Sequence, residues 1–343
     1  MTTSIMKTLL ILALFASIAF ADPFDNAKEV FNKFKDWSSK SKRKYGIEET
    51  AIRYAAWKNN YDLVQRHNAQ NLSWELGLND FADLTPEEFS ALNLGFRTIP
   101  ALLSATQQGG SGDSDAESST PLLGAATSLD WRNSSAVTAV KNQGSCGSCW
   151  AFATTGALEG LHAIKKSQLL NFSEQQLVDC ATSSYGNYGC NGGMYTGTFS
   201  YTAKNGIMLG SDYAYTGKQA TCKYTSSKAV FKNLGYKQVG KNNATLLKAA
   251  VNLQPIAVAI QADQSAFQLY KSGIITSNCG TSLNHAVLVV GYDVSSTGVE
   301  YWIVKNSWGT YWGNKGYVNI ATGQQNSNKG VCGINSLPAY PTL

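Results

Sequence analysis

The sequence predicts an α+β chain behind a helical N-terminal region, on three observations. Helical patterning over Cys149–Lys165 and Ser173–Cys180 makes residues 134–237 mainly helical. Strand-like runs at Ile256–Gln261, His285–Tyr292, Tyr301–Lys305 and Tyr317–Ile320 make residues 238–343 mainly β. Upstream, residues 22–103 are charged and helix-patterned. They are set off from residues 125–343 by a linker at 104–124, in which Ser104–Thr120 has almost nothing to bury and reads as disordered and cleavable.

Each part has a local reason. Lys7 precedes the apolar run Leu9–Phe20, closed by Ala19-Phe20-Ala21, so residues 1–21 predict a signal peptide and the secretory pathway. Sequons at Asn71, Asn133, Asn171 and Asn243 fit that route. Ser173 with Gln176 predicts a capping box. Strands and helices of the two halves place any site that joins them in a cleft.

Seven cysteines are present and none precedes residue 146, so six can pair and one stays free. Sequence alone leaves 15 connectivities open for the six. Cys149 stands at a predicted helix start, where unpaired N–H groups and the helix dipole favour thiolate. A thiolate nucleophile needs a base, and there are three histidines. His162 lies 13 residues along the same helix, about 20 Å away. His67 falls in the N-terminal region, which leaves His285 at the edge of a strand.

Four blocks in order carry a resemblance. Q-G-S-C-G-S-C-W-A-F from Gln143, G-C-N-G-G at Gly189–Gly193, N-H-A at Asn284–Ala286 and K-N-S-W-G at Lys305–Gly309 resemble the papain-like cysteine proteases, papain and cathepsin L group. The resemblance implies a papain-like two-domain fold, a helical half against a β-barrel-like half with the active site between them. It implies Cys149 as nucleophile, His285 as base and Asn306 as orienter, with Gln143 and the Cys149 N–H as oxyanion donors and Trp308 shielding the Asn306–His285 pair. It selects Cys146–Cys190, Cys180–Cys222 and Cys279–Cys332 as disulfides. Gly192 and Gly193 become a loop on which extended substrate pairs, and Met194, Tyr195, Ala259, Leu283, Ala286 and Leu337 become an apolar S2 pocket. An acidic residue in place of Leu337 goes with acceptance of Arg at P2, so bulky apolar P2 residues are expected here.

Glu49, Arg53, Trp57, Asn60, Val64 and Asn68, followed by Gly77-x-Asn79-x-Phe81-x-Asp83, resemble the prosegment motifs of the same group. Residues 22–103 are therefore expected to be an inhibitory prosegment and 125–343 the mature endopeptidase, a zymogen. Asp22–Gly124 holds 11 basic against 15 acidic residues, net −4, and Ala125 onward 16 against 8, net +8, so the two parts should attract. The expected partners are peptide and protein substrates, the chain's own prosegment and cystatin-type inhibitors, and the expected state is a monomer. Lysines of the mature part are scattered, which speaks against nucleic acid. Dispersed histidines speak against a zinc site, and no cofactor is expected. A disulfide oxidoreductase built on Cys146-Gly-Ser-Cys149 leaves Gln143, His285 and Asn306 unexplained, and a noncatalytic binding protein on the same scaffold has no reason to keep Cys149, His285 and Asn306 together.

Overall fold

The computed structural model describes residues 23–97, 127–323 and 328–343; the expected signal peptide and linker lie outside them. The chain divides into two compact units, residues 1–59 and 60–343. In the first, helix α1 (Pro23–Lys40) is followed by α2 (Ile47–Asn68). Phe31, Phe34 and Trp37 recur every third residue on α1 and form one aromatic cluster with Tyr54 and Trp57 of α2. The Phe34 and Trp57 rings are 5.5 Å apart, and Phe31 meets Tyr54 edge-on at 5.0 Å. Aromatic pairs in these arrangements add to the burial that holds two helices together.

The division falls inside the predicted 22–103 segment, because residues 60–97 are built into the second unit. Asn60 Nδ2 donates to the carbonyls of Ala82 and Leu84, and Asn68 exchanges two hydrogen bonds with the Leu76 backbone. Strand β1 (Trp74–Leu76), which no sequence pattern predicts, pairs antiparallel with β7 (Tyr270–Ile275). Helix α3 (Pro86–Asn93) follows, with Thr85 and Glu88 forming a reciprocal capping box.

The β half is a nine-stranded sheet, ordered β1-β7-β10-β9-β8-β6-β11-β5 with β2 (Leu129–Asp130) beside β8. Its other strands are β5 (Gly235–Gln238), β6 (Ile256–Ile260), β8 (His285–Val294), β9 (Glu300–Lys305), β10 (Tyr317–Ala321) and β11 (Ala339–Thr342). The four runs predicted from β-branched patterning are β6, β8, β9 and β10 to within two residues. The helical half carries α4 (Cys149–Lys166), α5 (Glu174–Cys180), α6 (Tyr195–Asn205) and the short pair β3 (Ile207–Met208) and β4 (Ala229–Phe231); α7 (Ala244–Val251) and α8 (Ser265–Gln268) lie in the β half. Helix α4 lies directly on the sheet. A Cβ at Gly156 would come within 2.8 Å of Leu288 and one at Gly160 within 2.7 Å of Pro255, so those two glycines permit the approach.

The α5 cap is only half a capping box. Ser173 Oγ accepts from the Gln176 N–H, but the Gln176 amide turns away to bond Tyr201, Gly206 and Met208. Buried partners outcompete the reciprocal bond. Disulfides join Cys146–Cys190, Cys180–Cys222 and Cys279–Cys332, and Cys149 is the free cysteine. Among the described residues no helix is long and apolar enough to cross a membrane.

Candidate active site

Cys149 is the first residue of α4 and His285 the first of β8. The two halves bring them together: the N–H of Ala286, next to His285, donates to Cys149 Sγ at 3.4 Å. His285 Nε2 donates to Asn306 Oδ1 at 2.8 Å, and its Nδ1 is buried without a hydrogen-bond partner. The Trp308 indole stacks on the imidazole at 4.5 Å between ring centres and 28° between planes. One ring nitrogen is thus held, the other is free to take or give a proton, and water is kept off the hydrogen bond between them.

Gln143 is fully buried, and its amide is fixed at both ends. Oε1 accepts from the Ser307 hydroxyl at 2.7 Å, and Nε2 donates to the carbonyls of Cys146 and Asn93, both at 2.9 Å. Ser307 stands in the K-N-S-W-G block, but the sequence assigns it no role. Tyr215 has the same character: its hydroxyl donates to the Gln143 carbonyl and pairs with Ser148 at the start of α4.

Residues 93–97 cross this site. The Gly193 N–H donates to Gly95 O at 2.8 Å and the Arg97 N–H to Gly193 O at 3.1 Å, so the segment runs parallel to the glycine loop. Gly95 is obligatory for the fit, because a Cβ there would lie 2.0 Å from Gly147 O. Gly192 has φ +105°, and a Cβ on it would sit 2.7 Å from Gly95 O. The ring of Phe96 stacks on Tyr195 at 5.4 Å. Phe96 shares a buried apolar cluster with Met194, Tyr195, Ala259 and Ala286, and Leu283 and Leu337 pack against that cluster. The Tyr195 hydroxyl, the one polar group among those six side chains, donates to Leu337 O. Farther back, Phe81 and Phe89 meet the Trp308 indole edge-on at 5.4 and 5.2 Å. Phe81 belongs to the second prosegment motif, whereas Phe96 stands in a short L-G-F-R run with no periodicity to mark it.

This cover changes the electrostatics expected from the helix start. Burial pushes the Cys149 thiol up to about 11, although the N–H groups of Ala286, Gly95, Trp150 and Cys149 itself favour the thiolate. Burial likewise pulls His285 down to about 4, against the hydrogen bond to Asn306. Desolvation outweighs the helix terminus, so the covered pair is a neutral thiol and a neutral imidazole.

A free cysteine, a histidine held by an asparagine, and a side-chain amide, at a junction of helical and β halves, define the cysteine peptidase class. The chain belongs to the papain family: residues 125–342 match the papain family cysteine protease domain, and residues 34–89 match the cathepsin propeptide inhibitor domain (I29). It is similar to the senescence-specific cysteine protease SAG12 of Arabidopsis thaliana, 39% identical over 98% of this chain and 99% of that one. It is 38% identical to ananain of Ananas comosus, over 98% of this chain and 96% of that one. Among solved structures, a recombinant stem bromelain precursor aligns with a TM-score of 0.79 at 38% identity, over 92% of this chain and 99% of that one. A digestive procathepsin L 3 from the larval midgut of Tenebrio molitor aligns with a TM-score of 0.79 at 37% identity, with the same coverage of each chain. The protein is a cysteine endopeptidase zymogen that carries its own propeptide inhibitor domain.

Proposed function

We propose that this zymogen enters the secretory pathway and, once freed of its prosegment, cleaves proteins internally through a Cys149 thiolate, with bulky apolar residues preferred at P2. The observation that carries the reading is the single free thiol receiving the Ala286 N–H beside an imidazole whose other nitrogen Asn306 holds. When the prosegment leaves, water relieves the burial that keeps the pair neutral, and the proton passes from sulfur to His285. The thiolate then attacks the peptide carbonyl, and the oxyanion forms against the Cys149 N–H and the Gln143 amide. The C–N bond breaks as His285 gives its proton to the leaving amine, leaving a thioester. Water, deprotonated by His285, attacks the thioester and returns the thiol.

Phe96 supports the P2 preference, because its ring stacks on Tyr195 within the apolar cluster proposed as the pocket. A guanidinium there meets no carboxylate among the six pocket side chains, and burying it unpaired costs several kcal/mol. Residues 93–97 fill the places of a substrate here: the Gly95 N–H lies against the sulfur and the Asn93 carbonyl takes the Gln143 amide. The four sequon asparagines are exposed, in keeping with passage through a glycosylating compartment. The mature enzyme acts as a monomer without a cofactor, starts within residues 104–126, and presents an open cleft to cystatin-type inhibitors.

Thiol-dependent hydrolysis of fluorogenic peptides with Phe, Leu or Arg at P2, with sizing of products from a folded protein, tests the reading. Phe and Leu should exceed Arg at least tenfold, and products should include internal fragments. Equal rates, or release of dipeptides alone, contradict it.

A further inference from the structure

Beneath Asn306 and Ser307 is a cavity of about 20 Å³, room for one water, whose polar lining comes from Lys141, Thr155, Glu159 and Lys305 as well as those two residues. Glu159, Glu174 and Lys305 are buried and Lys141 is partly buried. Glu159 accepts from the Thr138 hydroxyl at 2.6 Å, Lys141 Nζ at 2.7 Å and the Phe172 N–H at 3.0 Å. Glu174 accepts from the Thr155 hydroxyl at 2.6 Å and also from Lys141. The fourth member, Lys305, bonds no carboxylate directly; Nζ donates to Thr138 Oγ1 at 2.9 Å, and Thr138 passes the interaction to Glu159. Two carboxylates balance two ammonium groups only while Lys305 is charged.

Lys305 ends β9, and the next two residues are Asn306 and Ser307. Thr138 lies on the segment that leads to Gln143, and the two segments are stitched together. The Gln143 N–H donates to Ser307 O and the Gly309 N–H to Lys141 O. A methionine of similar length would fill this space without the cost of desolvating a charge, so packing alone does not account for an ammonium here.

We propose that Lys305 is a positioning residue for the reaction: its buried ammonium, tied through Thr138 to Glu159, fixes the turn that presents Asn306 to the imidazole and Ser307 to the Gln143 amide. The inference rests on the roles assigned above to Cys149, His285, Asn306 and Gln143. A lost tether lets that turn shift by fractions of an ångström, which affects the transition state more than the binding of substrate.

The test compares the full chain, matured in acid, as wild type, Lys305→Met, Lys305→Arg and Thr138→Val. Turnover of one fluorogenic peptide is expressed per active site, counted with an epoxide thiol trap whose adduct is located by mass spectrometry. We expect Lys305→Met to lower kcat about tenfold with KM within twofold, Lys305→Arg to recover most of that loss, and Thr138→Val to lower kcat several-fold. A merely structural role would lower yield and thermal midpoint while leaving kcat per titrated site unchanged. If the Met variant does not fold, the Arg and Val variants decide the question. A kcat within twofold of wild type for Thr138→Val, or a loss in Lys305→Met that Arg does not rescue, overturns the inference. An adduct on any residue other than Cys149 overturns the underlying reading instead.

Discussion

Gln143 Nε2 donates to the carbonyl oxygen of Asn93 at 2.9 Å, so the amide proposed as an oxyanion donor is already engaged by a backbone carbonyl. Removing one such donor from a peptidase costs about 3 kcal/mol of transition-state stabilisation. Gln143→Ala in the matured enzyme should therefore lower kcat by about a hundredfold with KM changed far less. Steady-state kinetics on a fluorogenic peptide check this, and a loss confined to KM would remove Gln143 from the reacting centre.

Gly95 decides how closely the prosegment approaches. Because a methyl group on Gly95 would lie 2.0 Å from Gly147 O, Gly95→Ala forces residues 93–97 off the glycine loop and loosens Phe96. The variant zymogen should react with an epoxide thiol trap at neutral pH at least ten times faster than wild type. Equal labelling rates would mean that this crossing does not control access to Cys149.

The neutral pair makes a pH signature. In the zymogen the thiol is raised to about 11 and the imidazole lowered to about 4, both chiefly by burial, so Cys149 stays protonated through neutral pH. Alkylation by iodoacetamide should rise only as pH approaches 11, whereas the matured enzyme should react readily in mild acid. A raised thiol value would disfavour the covered form wherever the uncovered sulfur lost its proton to solvent, but here the proton moves to His285 and is not lost. Docking is therefore insensitive to this pair between about pH 4 and neutrality. A zymogen that alkylates at pH 6 as fast as mature enzyme contradicts this account.

Acid sensitivity must then come from carboxylates. They lose their charge near pH 4 when unperturbed, and the net −4 segment then attracts the net +8 domain less as pH falls. Self-processing should be faster at pH 4 to 5 than at pH 7, with the new N-terminus within residues 104–126. Mass spectrometry reads both, and an N-terminus before Leu102 contradicts the boundary.

Leu337→Glu places a carboxylate against the pocket cluster and should raise hydrolysis of an Arg-Arg peptide relative to a Phe-Arg peptide by tenfold or more. An unchanged ratio would move the P2 pocket elsewhere.

The parts of this fold that announce themselves in sequence are those whose chemistry repeats or counts. An odd cysteine number singled out one thiol, three histidines left His285, and β-branched runs marked β6, β8, β9 and β10. Strand β1 is three residues long and takes its structure from its partner β7, so no local periodicity marks it. The Gln176 cap failed for the same reason, since buried partners decided where its amide went. Tyr215, Gly95 and Phe96 owe their places to contacts across the site, and the local sequence around each carries no sign of them; Ser307 stands in the K-N-S-W-G block, but its bond to Gln143 is a contact across the site. The neutral state of the thiol likewise comes from full burial at the junction of the two halves, which the local sequence at the helix start does not carry.

Cys149 alone is expected to act as the nucleophile, and active-site titration of the matured enzyme is the decisive measurement. Increasing amounts of an epoxide thiol trap should abolish peptide hydrolysis in proportion to a single adduct per chain, located on Cys149. Loss of activity without an adduct on Cys149, or more than about a hundredth of the activity surviving complete modification of Cys149, would contradict the account.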